Sequence, residues 1–387
     1  MKRISTLLLA AALAVPAACG SDPTTAGDDV VGDDDQPGDE WDDILASRQY
    51  DYGAALRIAA LRLTGDLPTL SEINEITASS DLGLQKAAYE ARVTEYLTRQ
   101  TFGREMFYFW RDTFKIGETA EFDTAPAFAA QLSNDNASYM NLFTSATGNC
   151  PTYNDATMTF TAGECTGTAP QAGVLSNPGV MKQYFGNFAF RRVKWVQESF
   201  DCTKFPVSSE LTGPGQEVGG PSLYTGLWPF TSIGGASNTG RVNFQDVSAV
   251  ICANCHQTLN HLAPLFANFD GMGVYQPAIS VPTPLEGSPL AQITDYYPAG
   301  ETTAWRFGVA AATLPELGSA MAADPLVAKC GVTRVWNWAM GKGDVVDKLE
   351  EVPAETVQGQ VDRFTANGYK IKDLVKDVLF SDDFTKF

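Results

Sequence analysis

The segment ICANCHQTLNHLAPLFANFD, residues 251–270, contains the side chains of this sequence that are best suited to chemistry. Cys252, Cys255 and His256 form a Cys-x-x-Cys-His pattern, and His261 is the second of the chain's two histidines. On a helical turn the three side chains of the pattern share one side. In this arrangement the two cysteine thiols can add to the vinyl groups of a haem, and the imidazole can reach the haem iron. The sequence therefore predicts one covalent haem c with His256 as the proximal iron ligand.

Three other interpretations of this pattern were weighed. A zinc site made by Cys252, Cys255, His256 and His261 is disfavoured, because adjacent residues point in different directions and structural zinc sites use two separated ligand pairs. A redox-active dithiol would require a β-α-β context, of which the sequence gives no sign. A disulfide between the two cysteines would leave His256 without a role.

The sequence leaves the sixth iron ligand open. His261 follows His256 by five residues and is expected on the same side of a haem, so we interpret it as a polar neighbour of the haem or a surface residue. Met272, Met321 and Met340 are the candidate distal ligands, although methionine is also a common core residue in apolar helices. A methionine or histidine ligand would make an electron carrier, and an open position would allow peroxide or small-gas chemistry.

The N-terminus predicts export. Two basic residues, a short apolar run and small residues precede Cys19, so residues 1–18 are interpreted as a signal peptide, because the run is too short to span a bilayer. Residues 19–48 are acidic and poor in apolar side chains, which predicts a disordered tether. Cys19 is a candidate lipidation site, although Pro16 departs from the usual lipobox. We expect a lipid anchor in the outer membrane or periplasm, with simple secretion as the alternative.

Composition excludes several functions. The formal net charge of −19 argues against nucleic-acid binding, which depends on basic side chains that neutralise phosphates. The same charge gives the body no attraction of its own to a membrane surface, so membrane attachment would rely on the lipid. No Walker loop, Gly-x-Ser-x-Gly elbow or His-Glu-x-x-His motif is present in the sequence.

The pattern of apolar residues predicts a mainly α fold with few short strands. Three or four helices are expected before residue 117, and the helix in AFRRVKWVQESF should bury Val193, Val196 and Phe200. Gly-, Pro- and Ser-rich text predicts a long loop over residues 207–239. Four more helices are expected near the C-terminus, with breaks at Asp324–Pro325 and Asn367–Gly368. We expect a helical N-terminal domain with a loop insertion over residues 49–172 and a helical haem domain over residues 173–387.

The segment ICANCHQTLNHLAPLFANFDGMGVY resembles the haem motif of a large family of exported cytochrome-c-like proteins of planctomycetes and myxobacteria, built from domains of unknown function. LRLTGDLPTLSEI, REMFYFWRDTF, RRVKWVQESFDC and ADPLVAKCGVTRVWNWAMGKG resemble other parts of the same family. The chain departs from the motif where Asn260 and His261 replace Asp-Pro and where Val274 replaces Arg. The resemblance implies architecture more than activity.

These observations predict an exported, membrane-tethered monohaem protein that carries single electrons to or from a redox partner that the sequence does not identify. Two alternatives remain open. The haem could be structural in a binding or scaffold module, or the protein could be a haem-dependent oxidase or peroxidase-like enzyme.

Four cysteines remain when lipid and haem have taken three. They are Cys150, Cys165, Cys202 and Cys330. Three pairings are conceivable, and an exported protein favours disulfides. Cys150 and Cys165 flank one turn-rich insertion with room for a short hairpin, which leaves Cys202 for Cys330. The alternative for that second pair is two buried free thiols.

Overall fold

The predicted mainly helical fold is confirmed. The computed structural model describes residues 40–167, 170–202, 241–242, 256, 258–343 and 352–387. These residues are mainly helical, with two small two-stranded antiparallel sheets. The helices are α1 Glu40–Ser47, α2 Tyr52–Thr64, α3 Leu70–Thr77, α4 Leu82–Tyr96, α5 Gln100–Phe114, α6 Thr124–Asn134, α7 Asn141–Thr144, α8 Pro178–Gln183, α9 Phe190–Phe200, α10 Ile293–Tyr296, α11 Leu314–Ala323, α12 Pro325–Met340, α13 Ala354–Ala366, α14 Ile371–Leu379 and α15 Asp382–Thr385.

Strands and 3-10 turns are short. β1 pairs with β2 in a hairpin inside the Cys150–Cys165 insertion, where the sequence left room for one, and β3 pairs with β4. The strands are β1 Thr152–Asn154, β2 Thr159–Thr161, β3 Ala304–Trp305 and β4 Val309–Ala310, and the 3-10 turns are Asn187–Ala189, Ala263–Phe266 and Arg306–Gly308.

The chain divides into two units, residues 1–49 and 50–387. The first unit contains α1, which occupies the end of the stretch predicted to be a disordered tether. Its Ile44 and Leu45 are largely exposed. The prediction relied on the acidic charge and on the scarcity of apolar residues. Acidic residues in a first helical turn, however, stabilise the helix dipole and so favour helix formation. The rest of that stretch, Cys19 and the signal peptide lie outside the described residues, as does the predicted loop over residues 207–239.

Local sequence signals account for the helix boundaries. Thr69 and Glu72 form a capping box at the start of α3, with the Glu72 carboxylate 2.7 Å from the Thr69 nitrogen. The predicted break before α12 is present, because Asp324 accepts a hydrogen bond from the Leu326 nitrogen and Pro325 occupies the first helical turn. The predicted break at Asp324 and Pro325 therefore follows from capping chemistry.

Within the second unit the last helices pack against the first. The Tyr89 hydroxyl of α4 donates to the Leu379 carbonyl of α14 at 2.7 Å, and the Asp51 nitrogen donates to the Thr385 carbonyl at 3.0 Å. Tyr89 is fully buried. The two ends of this unit therefore share one core, and the predicted boundary between residues 172 and 173 stays a prediction.

Helix α9 connects this core to the segment that contains His256. Val193, Val196 and Phe200 are fully buried, as the sequence predicted. The helix contacts α5, α12 and the 3-10 turn Ala263–Phe266. Helix α9 therefore contacts both the core helices and the residues that follow the Cys-x-x-Cys-His pattern.

Candidate functional site

His256 is the member of the Cys-x-x-Cys-His pattern that the structure describes, and Cys252 and Cys255 lie outside the described residues. Its Nδ1 atom lies 3.1 Å from Oδ1 of Asn260, one helical turn later. An amide oxygen only accepts hydrogen bonds, so the imidazole donates from Nδ1. In the neutral imidazole Nε2 is then unprotonated, and an unprotonated ring nitrogen is the one that can bind a metal ion.

An aromatic ring packs against the His256 imidazole and is itself part of an aromatic cluster. The Phe190 ring meets it edge-on, with 5.4 Å between the ring centroids and an interplanar angle of 83°. Phe190 in turn contacts Phe188 at 5.3 Å and Tyr296 at 6.3 Å. Burial lowers the pKa of His256, and the hydrogen bond to Asn260 only partly opposes this effect. The environment thus favours the neutral imidazole that a metal site requires.

His261 is a buried polar residue and not a surface residue. It is fully buried, and its Nε2 atom lies 3.0 Å from Oε2 of Glu301. Its ring stacks on Tyr297, with 5.5 Å between centroids and an interplanar angle of 4°. The Glu301 carboxylate thus occupies the Nε2 side of the buried His261 ring.

A tight turn follows the helical residues 258–262 and the 3-10 turn Ala263–Phe266. The Asp270 carboxylate accepts hydrogen bonds from the nitrogens of Met272 and Val274 at 2.8 and 3.0 Å and from Nε2 of Gln276 at 2.7 Å. Partial burial raises the pKa of Asp270, but these hydrogen bonds outweigh it and hold the pKa below its usual value. The turn is therefore built around an ionised carboxylate.

Gly273 allows this turn to approach α8 closely. Its φ is +77°, and a Cβ atom there would lie 2.1 Å from the Pro178 carbonyl oxygen. No L-residue side chain fits this position without moving the backbone. Asn260 and Val274, where the chain departs from the family motif, both lie in this region, and Asn260 supplies the hydrogen-bond partner of His256.

Arg192 of α9 is a candidate that the sequence interpretation missed. It is fully buried, and its Nε and Nη2 atoms donate to the Met181 carbonyl at 3.0 and 2.6 Å. Nη1 donates to the carbonyls of Phe266 and Phe269 at 2.8 and 2.7 Å, and Nη2 also donates to the Asp270 carbonyl at 3.0 Å. These bonds use all five N–H groups of the guanidinium.

One sequence signal could have identified Arg192. It precedes Val196 by four residues and therefore falls on the apolar stripe of α9, where a charged residue is unexpected. Its neighbour Arg191 is exposed and donates from Nη1 to the Phe185 carbonyl at 3.2 Å. The pair of arginines thus has one surface member and one buried member.

The three candidate distal methionines differ in environment. Met272 lies in the turn after Asp270 and is 60% exposed, whereas Met321 of α11 is fully buried. Met340 is the last residue of α12 and is partly buried. Which of these three residues would be the sixth ligand of an iron bound by His256, or whether that position would be open, stays a prediction.

Both disulfides expected from the sequence are present. Cys150 and Cys165 are bonded, with 4.9 Å between their Cα atoms, and the bond encloses the β1–β2 hairpin. Cys202 and Cys330 are bonded, with 5.5 Å between their Cα atoms. The second bond links the residue two positions after α9 to α12. Both predicted disulfides are therefore confirmed, and the alternative of two free thiols at Cys202 and Cys330 is wrong.

Comparison of the chain with protein-family models, curated proteins and solved structures gave no match. Among the described residues, no helix has the length and apolar character needed to cross a membrane. In the same part of the chain, no group of three or more His, Cys, Asp or Glu side chains is arranged to hold a metal ion.

Proposed function

We propose that this protein is an exported, lipid-tethered c-type cytochrome-like protein that carries single electrons at the cell envelope. The observation that carries the proposal is His256, which follows a Cys-x-x-Cys pair and has its Nδ1 atom hydrogen-bonded to Asn260. In this proposal Nε2 would bind the iron, because Nδ1 donates to Asn260. The resemblance to exported cytochrome-c-like proteins of planctomycetes and myxobacteria is part of the same proposal.

In this proposal each residue of the Cys-x-x-Cys-His pattern has one role in binding the haem. Cys252 and Cys255 would hold the haem through two thioether bonds, and His256 would be the proximal iron ligand. The haem supplies reversible one-electron chemistry. Phe190 limits rotation of the His256 ring by packing edge-on against it, and Asn260 orients the ring through its hydrogen bond.

The two disulfides support the export part of the proposal. Disulfides persist in oxidising compartments such as the bacterial periplasm and are rare in the cytosol. Covalent haem attachment of this type also takes place outside the cytoplasm. Cys19 would be the acylated residue, and residues 20–48 would separate the lipid from the body.

The surroundings of His261 favour electron transfer over peroxidase-like chemistry. A peroxidase needs a distal base that is positioned over an open iron site. The Glu301 carboxylate and the Tyr297 ring already hold His261, the second histidine of the chain. A methionine at the sixth position, from Met272, Met321 or Met340, would close the iron site to peroxide.

A haem-attachment assay tests the proposal. The full-length protein is produced in cells that carry the c-type maturation machinery, and denatured protein is analysed by its pyridine haemochrome spectrum and by mass. Cys252→Ala or Cys255→Ala should lose one or both thioether bonds, and His256→Ala should keep haem attached but change its coordination. The double variant Cys150→Ala/Cys165→Ala, which removes two cysteines outside the pattern, should keep full attachment.

Two outcomes decide the case. A wild-type protein that carries no covalent haem after maturation contradicts the proposal at its root. A protein that carries haem and binds carbon monoxide readily has an open sixth position, and this would favour enzyme chemistry over electron transfer.

A further inference from the structure

We infer that Arg192 positions the two elements that flank His256 and that its buried positive charge raises the reduction potential of the bound iron. The inference rests on the proposed function, because the potential concerns the haem that His256 would bind. Its structural part concerns this chain alone and can be tested without haem.

The positioning role follows from the hydrogen bonds of the guanidinium. Arg192 lies in α9, two residues after Phe190, whose ring contacts the His256 imidazole. Its Nη atoms donate to the carbonyls of Phe266, Phe269 and Asp270, which follow the helical residues 258–262. One side chain therefore holds the helix on one side of His256 and the segment on its C-terminal side.

The charge of Arg192 is not cancelled by a hydrogen-bonded carboxylate among the described residues. All of its donors bind neutral main-chain carbonyls. The nearby Asp270 carboxylate binds the nitrogens of Met272 and Val274 and the Gln276 amide instead. Burial lowers the pKa of Arg192 to about 9, with an opposing effect of Asp270, so the guanidinium remains protonated at neutral pH.

A buried cation next to a haem acts on its redox equilibrium. Reduction adds one electron to the ferric iron and lowers the charge of the site by one. A fixed positive charge destabilises the ferric form relative to the ferrous form. A poorly solvated protein interior screens this charge–iron interaction less than water does. Arg192 lies two residues after Phe190 in α9, and the Phe190 ring lies 5.4 Å from the His256 ring between centroids.

The test compares two neighbouring arginines. Arg192→Gln removes the buried charge and Arg191→Gln removes the same charge from an exposed position of the same helix. Spectroscopic titration of the haem-loaded protein against redox mediators measures the midpoint potential. In R192Q the ferrous-to-ferric ratio at a fixed potential should fall at least tenfold, which is 59 mV for one electron, and the fall in R191Q should be much smaller.

Arg192→Lys separates charge from packing. It keeps the positive charge but offers three N–H donors in place of five. We expect a potential near that of the wild type together with a lower melting temperature. Equal shifts in R192Q and R191Q, or a shift in R192K as large as that in R192Q, would overturn the electrostatic part of the inference.

Hydrogen exchange tests the positioning part in protein prepared without haem. Backbone amides of residues 266–276 should exchange faster in R192Q than in R191Q or the wild type, because their carbonyl contacts to Arg192 are lost. Unchanged exchange would overturn the positioning role. Absence of covalent haem in the wild type would instead contradict the proposed function, and the exchange measurement would still decide the role of Arg192.

Discussion

Asn260 is the hydrogen-bond partner of Nδ1 of the His256 imidazole. Its Oδ1 atom lies 3.1 Å from Nδ1, and the Asn260 side chain is fully buried. A stronger acceptor at this position gives the imidazole more negative character and makes it a more basic iron ligand. If His256 binds iron as we propose, the acceptor strength at residue 260 should therefore set the potential of that iron in a predictable direction.

We predict opposite redox shifts for two substitutions of Asn260. Asn260→Asp, measured at a pH where the carboxylate is ionised, should stabilise ferric iron and lower the midpoint potential. Asn260→Leu removes the acceptor and should raise the potential. Asn268→Leu is the matched control, because Asn268 donates to the Gln276 carbonyl in the same region without contacting the imidazole. Shifts of the same sign in both Asn260 variants would contradict the role assigned to this hydrogen bond.

At the scale of elements, α9 connects the core to the candidate site. Its first turn contains Phe190 and Arg192, and its last residue lies two positions before Cys202, which is bonded to Cys330 of α12. The helix is therefore attached at both ends, by hydrogen bonds at the first turn and by a covalent bond after the last. This arrangement would limit movement of the Phe190 ring relative to His256.

The two disulfides should differ in their contribution to stability. The Cys150–Cys165 bond spans 15 residues and the Cys202–Cys330 bond spans 128. On the chain-entropy model, loops of these sizes correspond to about 3 kcal/mol for the shorter and slightly more than about 4.7 kcal/mol for the longer. Urea unfolding should show a larger loss of free energy for Cys202→Ala/Cys330→Ala than for Cys150→Ala/Cys165→Ala. The reverse order would mean that native packing, and not loop size, dominates.

At the scale of the whole molecule, membrane attachment should depend on Cys19. Acyl chains stabilise membrane binding by about 0.8 kcal/mol for each buried methylene group. The chain carries a net charge of −19, which gives it no electrostatic attraction to anionic lipids. We therefore expect the acyl chains to hold the protein at the membrane.

We therefore predict that Cys19→Ala moves the protein from the membrane fraction to the soluble fraction. Ser21→Ala is the control and should remain in the membrane fraction. Because an uncleaved signal could itself retain the protein, a second variant replaces residues 1–19 with a signal peptide that a non-lipoprotein peptidase removes. Membrane retention of that second variant would contradict lipid anchoring at Cys19.

The sequence alone determined the features whose residues lie close together along the chain. The helical period predicted the buried face of α9 and the breaks at Asp324 and Asn367, because side-chain direction and capping depend on residues a few positions apart. The Cys-x-x-Cys-His pattern and the loop closed by Cys150 and Cys165 are local in the same sense. The acidic composition predicted local structure less well, because the acidic segment that predicted a disordered tether also contains the first residues of α1.

Contacts between distant residues were decided only by the tertiary structure. Arg192 binds carbonyls that lie 74, 77 and 78 residues further along the chain, and His261 meets Glu301 across 40 residues. Every residue carries a main-chain carbonyl, so nothing in the sequence marks the ones that a buried guanidinium will bind. The sequence could place a charge on the apolar face of α9, but only the folded chain brings to it the acceptors that make its burial tolerable.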